Sequence, residues 1–147
     1  MKAAVSNKIY TVDEYIQEEL RSAVRHQFVD GQLFELAGEK RLNNIIAGFF
    51  YLLFTQSLKK AGYYVCINDV KIAIPGGAKY YYPDVFVTKE KSTEKNTYIQ
   101  YEPEIIVEVV SESTHVTDYV DKYIDYCKIP SLLYYLIVEP ETNLYKV

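Results

Sequence analysis

Two carboxylates in this 147-residue chain stand where packing alone would not put them. Glu108 interrupts the run Ile105-Ile106-Val107-Glu108-Val109-Val110, in which alternation sends Ile105, Val107 and Val109 to one face and Ile106, Glu108 and Val110 to the other. A strand apolar on both faces is an interior strand, and an ionised carboxylate there is costly unless a cation or hydrogen-bond donors meet it. Asp84 has the same character, between Tyr80-Tyr81-Tyr82-Pro83 and Val85-Phe86-Val87. Either acid alone reads most simply as a strand end turned to water. Two of them, on strands expected to be sheet neighbours, shift the weight towards function.

A cation is available for them. Asp118, Lys122, Asp125 and Tyr126 recur at three- and four-residue spacing, so they share one helical face. Taken alone, that is a solvated face with an Asp118–Lys122 pair worth roughly a few tenths of a kcal/mol. The helix follows the Glu108 strand, however, and such a helix packs back onto its sheet, which brings Lys122 towards the strand's carboxylate end. Two carboxylates and a lysine form a set able to hydrolyse a phosphodiester. The carboxylates suit Mg²⁺ (or Mn²⁺), a hard cation that takes oxygen ligands and keeps several waters. The metal lowers the pKa of a bound water and offsets transition-state charge. The lysine orients or deprotonates that water, or offsets phosphate charge.

The elements that must position these groups can be read from local signals. Thr11-Val12-Asp13-Glu14 is a capping box, and Tyr15, Ile16 and Leu20 lie on one face of the helix that follows to about Arg21. Asp30-Gly31 between residues 27–29 and 32–36 predicts a hairpin, because a type I′ turn needs positive φ twice. A second helix spans 43–61, apolar on most faces at its start, with Gly62 as its stop. Strands are expected at 64–67 and 70–74, closed by Pro75-Gly76-Gly77, and a further one at 80–87 that contains Pro83 and so is entered at its edge or through a bulge. A charged loop covers 89–100, a strand 105–110, a third helix 117–128, and strands 134–138 and 144–147. The strand–helix–strand order of 105–138 predicts a parallel crossover. The fold class is α/β (α+β): a central mixed β-sheet flanked by helices, with an N-terminal helix and β-hairpin.

Composition sets the frame. A length of 147 residues suits one domain, 1–147, whose core needs neither metal nor disulfide as a staple. Apolar types at 49% and charged types at 24% are globular proportions and exclude a collagenous or low-complexity chain. Sixteen basic against 20 acidic residues give a net charge of −4, which disfavours adhesion to nucleic acid or membrane by bulk charge while allowing a local basic groove. The longest apolar run, from Ile45 to Phe54, is ten residues, well short of a bilayer span. With no hydrophobic leader at the N-terminus and no CxxC pattern around Cys66 and Cys127, a cytoplasmic location is expected, both cysteines being small core residues.

Pro83-Asp84-Val85, the strand end Val107-Glu108-Val109-Val110-Ser111 and Asp118-x-x-x-Lys122-x-x-x-Tyr126 together resemble the "putative restriction endonuclease" family of the PD-(D/E)XK nuclease superfamily. In this family the superfamily lysine is missing beside the Glu, where Val110 stands here, and has migrated to the following helix, where Lys122 stands. Tyr10-Thr11-Val12-Asp13-Glu14-Tyr15, Phe28-Val29-Asp30-Gly31, Ser111-Glu112-Ser113-Thr114 and Ile129-Pro130-Ser131-Leu132 extend the resemblance over essentially the whole chain. It implies a restriction-endonuclease-like fold, a Mg²⁺-dependent site acting on DNA, and a homodimer. Asp84 and Glu108 would be metal ligands with the backbone carbonyl of Val109, Lys122 the catalytic lysine, and Asp118 its supporting partner. Three departures stand beside this. Gln27 occupies a position where the family often has an acid, Leu42 one where it often has a His, and the chain looks short at its C-terminus by one hairpin.

Other candidates weigh less. His26 reads as a surface or boundary residue, and His115, before the third helix, is within reach of a phosphate. Pro75-Gly76-Gly77 is a turn, lacking the Lys and helix start of a phosphate loop. Tyr80-Tyr81-Tyr82 reads as core or dimer packing before base stacking, and a dimer seam is the leading account of the 16 tyrosines. Lys59, Lys60, Lys71, Lys79, Lys89, Lys91 and Lys95 could line a DNA approach, but scattered as they are they read as solubilising residues. Two functions compete: a Mg²⁺-dependent DNA endonuclease using Asp84, Glu108 and Lys122, and a catalytically inactive relative serving as a homodimeric nucleic-acid- or protein-binding module. Hydrolysis of another phosphorylated substrate is a third.

Overall fold

The structure is a computed structural model and describes residues 4–36, 38, 40–89, 97–110, 116–140 and 144–146. The chain begins with α1 (Val12–Glu19), and the capping box is present in full. Glu14 N–H donates to Thr11 Oγ1 at 3.2 Å while Thr11 N–H donates to Glu14 Oε2 at 2.8 Å. The hairpin β1 (His26–Val29) and β2 (Gln32–Glu35) turns through Asp30 at φ 48° and Gly31 at φ 87°, the predicted I′ geometry. Then α2 (Arg41–Leu58) continues through one 3₁₀ turn (Lys59–Ala61) and stops at Gly62, whose φ of 82° only glycine adopts without cost.

β3 (Tyr63–Ile67) and β4 (Lys71–Ala73) follow. The segment expected to be one strand at 80–87 is two, β5 (Lys79–Tyr81) and β6 (Val85–Lys89), and they belong to different sheets. Pro83 is the reason: it has no N–H for a ladder, so the chain leaves one sheet before it and enters the other after it. The expected loop 89–100 holds a short strand, β7 (Ile99–Gln100), in parallel register with β4. Then come β8 (Pro103–Val109), α3 (Val116–Tyr126), β9 (Tyr134–Glu139) and β10 (Leu144–Lys146). The first sheet has the order β2-β1-β5-β4-β7 and the second β10-β9-β8-β6-β3. β8 and β9 are parallel, with α3 between them in sequence, as the crossover reading required.

Three clusters show how the layers stack. Tyr15 of α1 packs with Phe28, Leu33, Ala73, Tyr80 and Ile99 on one face of the first sheet. Ile72 and Tyr81 meet Phe86, Ile106, Tyr126 and Tyr135, a core shared by both sheets and α3. On the far face of the second sheet, Val85, Val107 and Val109 receive Ala47 of α2. Alternation therefore sorts β6 and β8 cleanly. Val85 pairs with Val107 towards α2, and Phe86 pairs with Ile106 towards α3. Asp84 and Glu108 continue the α3-side rows by one step of alternation.

Several expectations change. Cys66 is half-buried and Cys127 is exposed rather than a core residue. His26 is buried, its ring held at 3.0 Å by Glu19. Lys71 is buried too, so it is no solubilising residue. Six of the 16 tyrosines, Tyr15, Tyr80, Tyr81, Tyr82, Tyr126 and Tyr135, are buried, and hydroxyls of four of them donate to buried acceptors, while Tyr51, Tyr64, Tyr98, Tyr101, Tyr123 and Tyr134 are exposed. Phenols here do what Phe could not, since they satisfy interior carboxylates while filling volume. Among the described residues no helix is long and apolar enough to cross a membrane.

Candidate functional site

Where β6 begins and β8 ends, the antiparallel register sets Asp84 and Glu108 on the same side of the sheet. Both are buried, and both line one cleft of about 520 Å³. Asp84 is fixed by backbone. Its Oδ2 accepts from Val109 N–H at 2.6 Å, and its own carbonyl accepts from Asn68 N–H at 3.0 Å. Glu108 is fixed by α3. Its Oε1 accepts from Lys122 Nζ at 3.0 Å and from the Tyr126 hydroxyl at 2.9 Å. The four-residue spacing of Lys122 and Tyr126 lets one carboxylate oxygen receive both.

These partners answer the cost of burying an acid inside a sheet. Burial, then the charge of Glu108, pushes the Tyr126 phenol well above its ordinary 10.0, so it remains a neutral donor. One further carboxylate braces the same helix. Asp125 accepts from Lys79 at 2.8 Å, Tyr81 at 2.8 Å and Lys128 at 2.6 Å. Burial opposes its ionisation, yet the bonds from Lys128, Lys79 and Tyr81 hold it below the ordinary value of 3.8. Lys79 is raised by the same contact with Asp125. Asp125 thus ties α3 to the first sheet. The Tyr81 ring it holds lies 5.8 Å from Lys122 Nζ and meets the Tyr126 ring edge-on, also at 5.8 Å.

The oxygen atoms at this cleft suit a hard cation. Glu108 keeps Oε2 without a hydrogen-bond donor among the described residues, its two partners both lying on Oε1. Asp84 and the carbonyl-bearing Val109 line the same cleft. Oxygen atoms of this kind fit Mg²⁺ or Mn²⁺. The Val109 carbonyl also accepts from Asn43 Nδ2 at 3.3 Å, a long bond that ties α2 to the strand end. Among the described residues no three His, Cys, Asp or Glu side chains gather as a metal cluster.

The remaining sequence expectations divide. Gln27 is buried and lines the cleft, a neutral group at the position where the family often carries an acid. Val110 lines it as well. Leu42 is half-exposed at 50%, and it is Arg41 and Asn44 of α2 that face the cleft. The Asp118 side chain, His115 and Ser111-Glu112-Ser113-Thr114 lie outside the described residues, as do Lys91 and Lys95. Cleft residues that sequence reasoning missed are Arg25, Arg41, Asn44, Asn68, Tyr82 and Tyr119. Only Asn43-Asn44 carried a local signal, a polar pair opening an otherwise apolar helix. Among the described residues the cations lining the cleft are Arg25, Arg41 and Lys122.

Comparison with known proteins agrees with this architecture. A family model described as "Uma2: Putative restriction endonuclease" matches residues 12–147. Two curated relatives from Synechocystis, both described as uncharacterized, cover most of the chain. Protein sll1609 is 28% identical over 141 residues, 95% of this chain and 80% of its own length. Protein slr1290 is 32% identical over 136 residues, 90% of this chain and 72% of its own length. A crystal structure described as a putative nuclease belonging to DUF820, from Anabaena variabilis, superposes with a TM-score of 0.72 at 14% identity, covering 89% of this chain and 74% of that one. The fold held in common is restriction-endonuclease-like.

Proposed function

Since the chain belongs to the Uma2 family of putative restriction endonucleases, we propose that it is a Mg²⁺-dependent DNA endonuclease that hydrolyses phosphodiester bonds with Asp84, Glu108 and Lys122. One observation carries the reading: two buried carboxylates and a lysine from three elements converge on a single cleft, with Lys122 Nζ 3.0 Å from Glu108. Asp84, Glu108 and the Val109 carbonyl hold the cation. When bound, it supplies an activated water and neutralises phosphate charge.

The chain's own residues do the rest. Val109 N–H fixes the Asp84 carboxylate, and Tyr126 fixes Glu108, so both acids are oriented before substrate arrives. Lys122, beside Glu108, orients the attacking water and offsets the charge on the phosphate oxygens. Asp118, one turn before Lys122, supports that lysine, and Gln27 contributes a neutral hydrogen-bonding wall. Arg25 and Arg41 at the cleft receive the flanking backbone charge. A net charge of −4 makes DNA binding weak until a divalent cation fills the carboxylate pair. The reading includes a homodimer, supported by the exposed apolar stripe Leu42, Ile45, Phe49 and Leu52 on α2.

Gln27 in the cleft favours a second reading, a catalytically silent relative that binds nucleic acid or protein as a homodimer. Metal titration separates the two. The endonuclease reading expects Mg²⁺ or Mn²⁺ to raise the melting temperature and to support plasmid nicking that disappears in Glu108→Ala. Neither ion stabilising the fold nor supporting nicking leaves the silent reading.

A further inference from the structure

Beside the cleft lies a second pocket of about 310 Å³, lined among others by Glu19, Ser22, Arg25, Lys71, Tyr82 and Tyr98. Its unusual occupant is Lys71. This lysine of β4 is only 5% exposed, and its Nζ lies 4.9 Å from the Tyr15 ring centre and 5.6 Å from that of Tyr82. Two aromatic faces favour a cation but accept none of its hydrogen bonds. Among the described residues the ammonium has no hydrogen-bond acceptor.

The carboxylate whose field reaches Lys71 is Glu19, and Glu19 is committed elsewhere. Its Oε1 accepts from His26 N–H at 2.9 Å and from the Tyr82 hydroxyl at 2.8 Å, while Oε2 meets His26 Nδ1 at 3.0 Å. Burial pushes the Lys71 ammonium down and Glu19 draws it partly back. A charge buried with its donors unused is costly, and a methionine would fill the same space without that cost.

We propose that this pocket is an anion subsite in which Lys71 receives a phosphate group of a nucleic-acid strand, next to the phosphate that reacts at Asp84 and Glu108. The strand as ligand rests on the nuclease reading above, while the anion chemistry rests on Lys71 itself. Arg25 and Tyr82 line both the pocket and the cleft, so the two cavities share a wall. Arg25 is held at that wall by Asp69 Oδ1 at 2.6 Å and the Asn68 carbonyl at 3.0 Å. A strand carries one phosphate per nucleotide, so one seated in the cleft presents its neighbour across the wall. There the phosphate oxygens accept what Lys71 and Arg25 have to donate. Tyr98, 62% exposed at the pocket, offers a ring for the adjoining base. Glu19 opposes the anion, which makes a lone phosphate a weak ligand and a tethered one a better one.

The test uses metal-free protein and two probes, inorganic phosphate and a short 5′-phosphorylated single-stranded oligonucleotide. Each is expected to raise the melting temperature of the wild type and of Glu108→Gln, by about 3–5 °C at tenfold Kd. The oligonucleotide acts at the lower concentration, and Lys71→Met loses the response to both. Equal shifts in wild type and Lys71→Met, or none in either, overturn the proposal, and a response to phosphate but not to the oligonucleotide overturns the strand as ligand. Should Lys71→Met not fold, the Lys71 ¹³Cε resonance of the wild type, assigned with Lys71→Arg, decides: it moves first among the lysines on phosphate titration, or the subsite is absent. Cleavage with metal but no Lys71 response sinks this proposal alone. A Lys71 response without cleavage under any divalent metal sinks the nuclease reading alone.

Discussion

Replacing Lys122 with methionine separates the lysine's structural debt from its chemical role. The side chains of Lys122 and Glu108 are 12% and 8% exposed with 3.0 Å between Nζ and Oε1. At an effective dielectric of about 20, that contact is worth roughly 5 kcal/mol of gross attraction, from which the desolvation of the lysine must be subtracted. Removing one member of a buried pair costs about 3–5 kcal/mol, because the other charge stays behind. Here Tyr126 still donates to Oε1 at 2.9 Å, so the lower end, about 3 kcal/mol, is expected. For a chain of this size that is a fall of about 6–12 °C in melting temperature. A divalent cation then has more to give. In the wild type it must share Glu108 with Lys122, whereas in Lys122→Met it replaces the missing charge. The metal-induced rise in melting temperature should therefore be larger in the variant than in the wild type, while plasmid nicking falls by roughly 10²-fold or more. Differential scanning fluorimetry across a Mn²⁺ series, with nicking assayed in parallel, reads both. A variant as stable as the wild type, or stabilised less by metal, would refute the pairing of Lys122 with the metal-holding carboxylate.

Two further expectations follow from contacts outside the carboxylate pair. Asp125→Asn should cost about 1.5–3 kcal/mol, since the carboxylate accepts from two lysines and a buried phenol. Asp125 titrates below 3.8 in the folded chain, so its contribution is complete above that value and is lost as pH falls through its folded pKa. Urea midpoints should therefore fall less steeply on acidification in Asp125→Asn than in the wild type, and parallel acid limbs would contradict the assignment. Gly31→Ala should lower stability by more than about 1 kcal/mol, because a Cβ at φ 87° would come within 2.7 Å of Ile9 Cγ2. A thermal melt unchanged from wild type would show that the turn tolerates the methyl.

What was legible in the sequence lay within a few residues of itself. Thr11 and Glu14 satisfy each other's backbone across one helical turn, Asp30-Gly31 admits the positive φ a tight hairpin needs, and Gly62 stops α2. Alternation alone set Glu108 on the Ile106 face, and i,i+4 spacing alone joined Lys122 to Tyr126. These signals depend on covalent neighbours and survive without a tertiary fold.

The rest required the sheets. No local rule shows that the segment around Pro83 changes sheets, that Ile99-Gln100 pairs in parallel with β4, or that Cys127 is exposed while His26 and Lys71 are buried. Charge and polarity made His26 and Lys71 look like surface residues. Tyr15 and Glu19 of α1, with Tyr82 after β5, take them inside, and none of these partners lies on the strand that carries the residue it buries. The cleft is similar. Asp84 and Glu108 were visible as misplaced acids, yet Arg25, Gln27, Arg41, Asn44 and Tyr82 join them only because β1, α2 and the chain around β5 converge there. Residue type and short spacing decide which group could act. Burial and the identity of its partner are properties of contacts distant in sequence, and only the packed layers decide them.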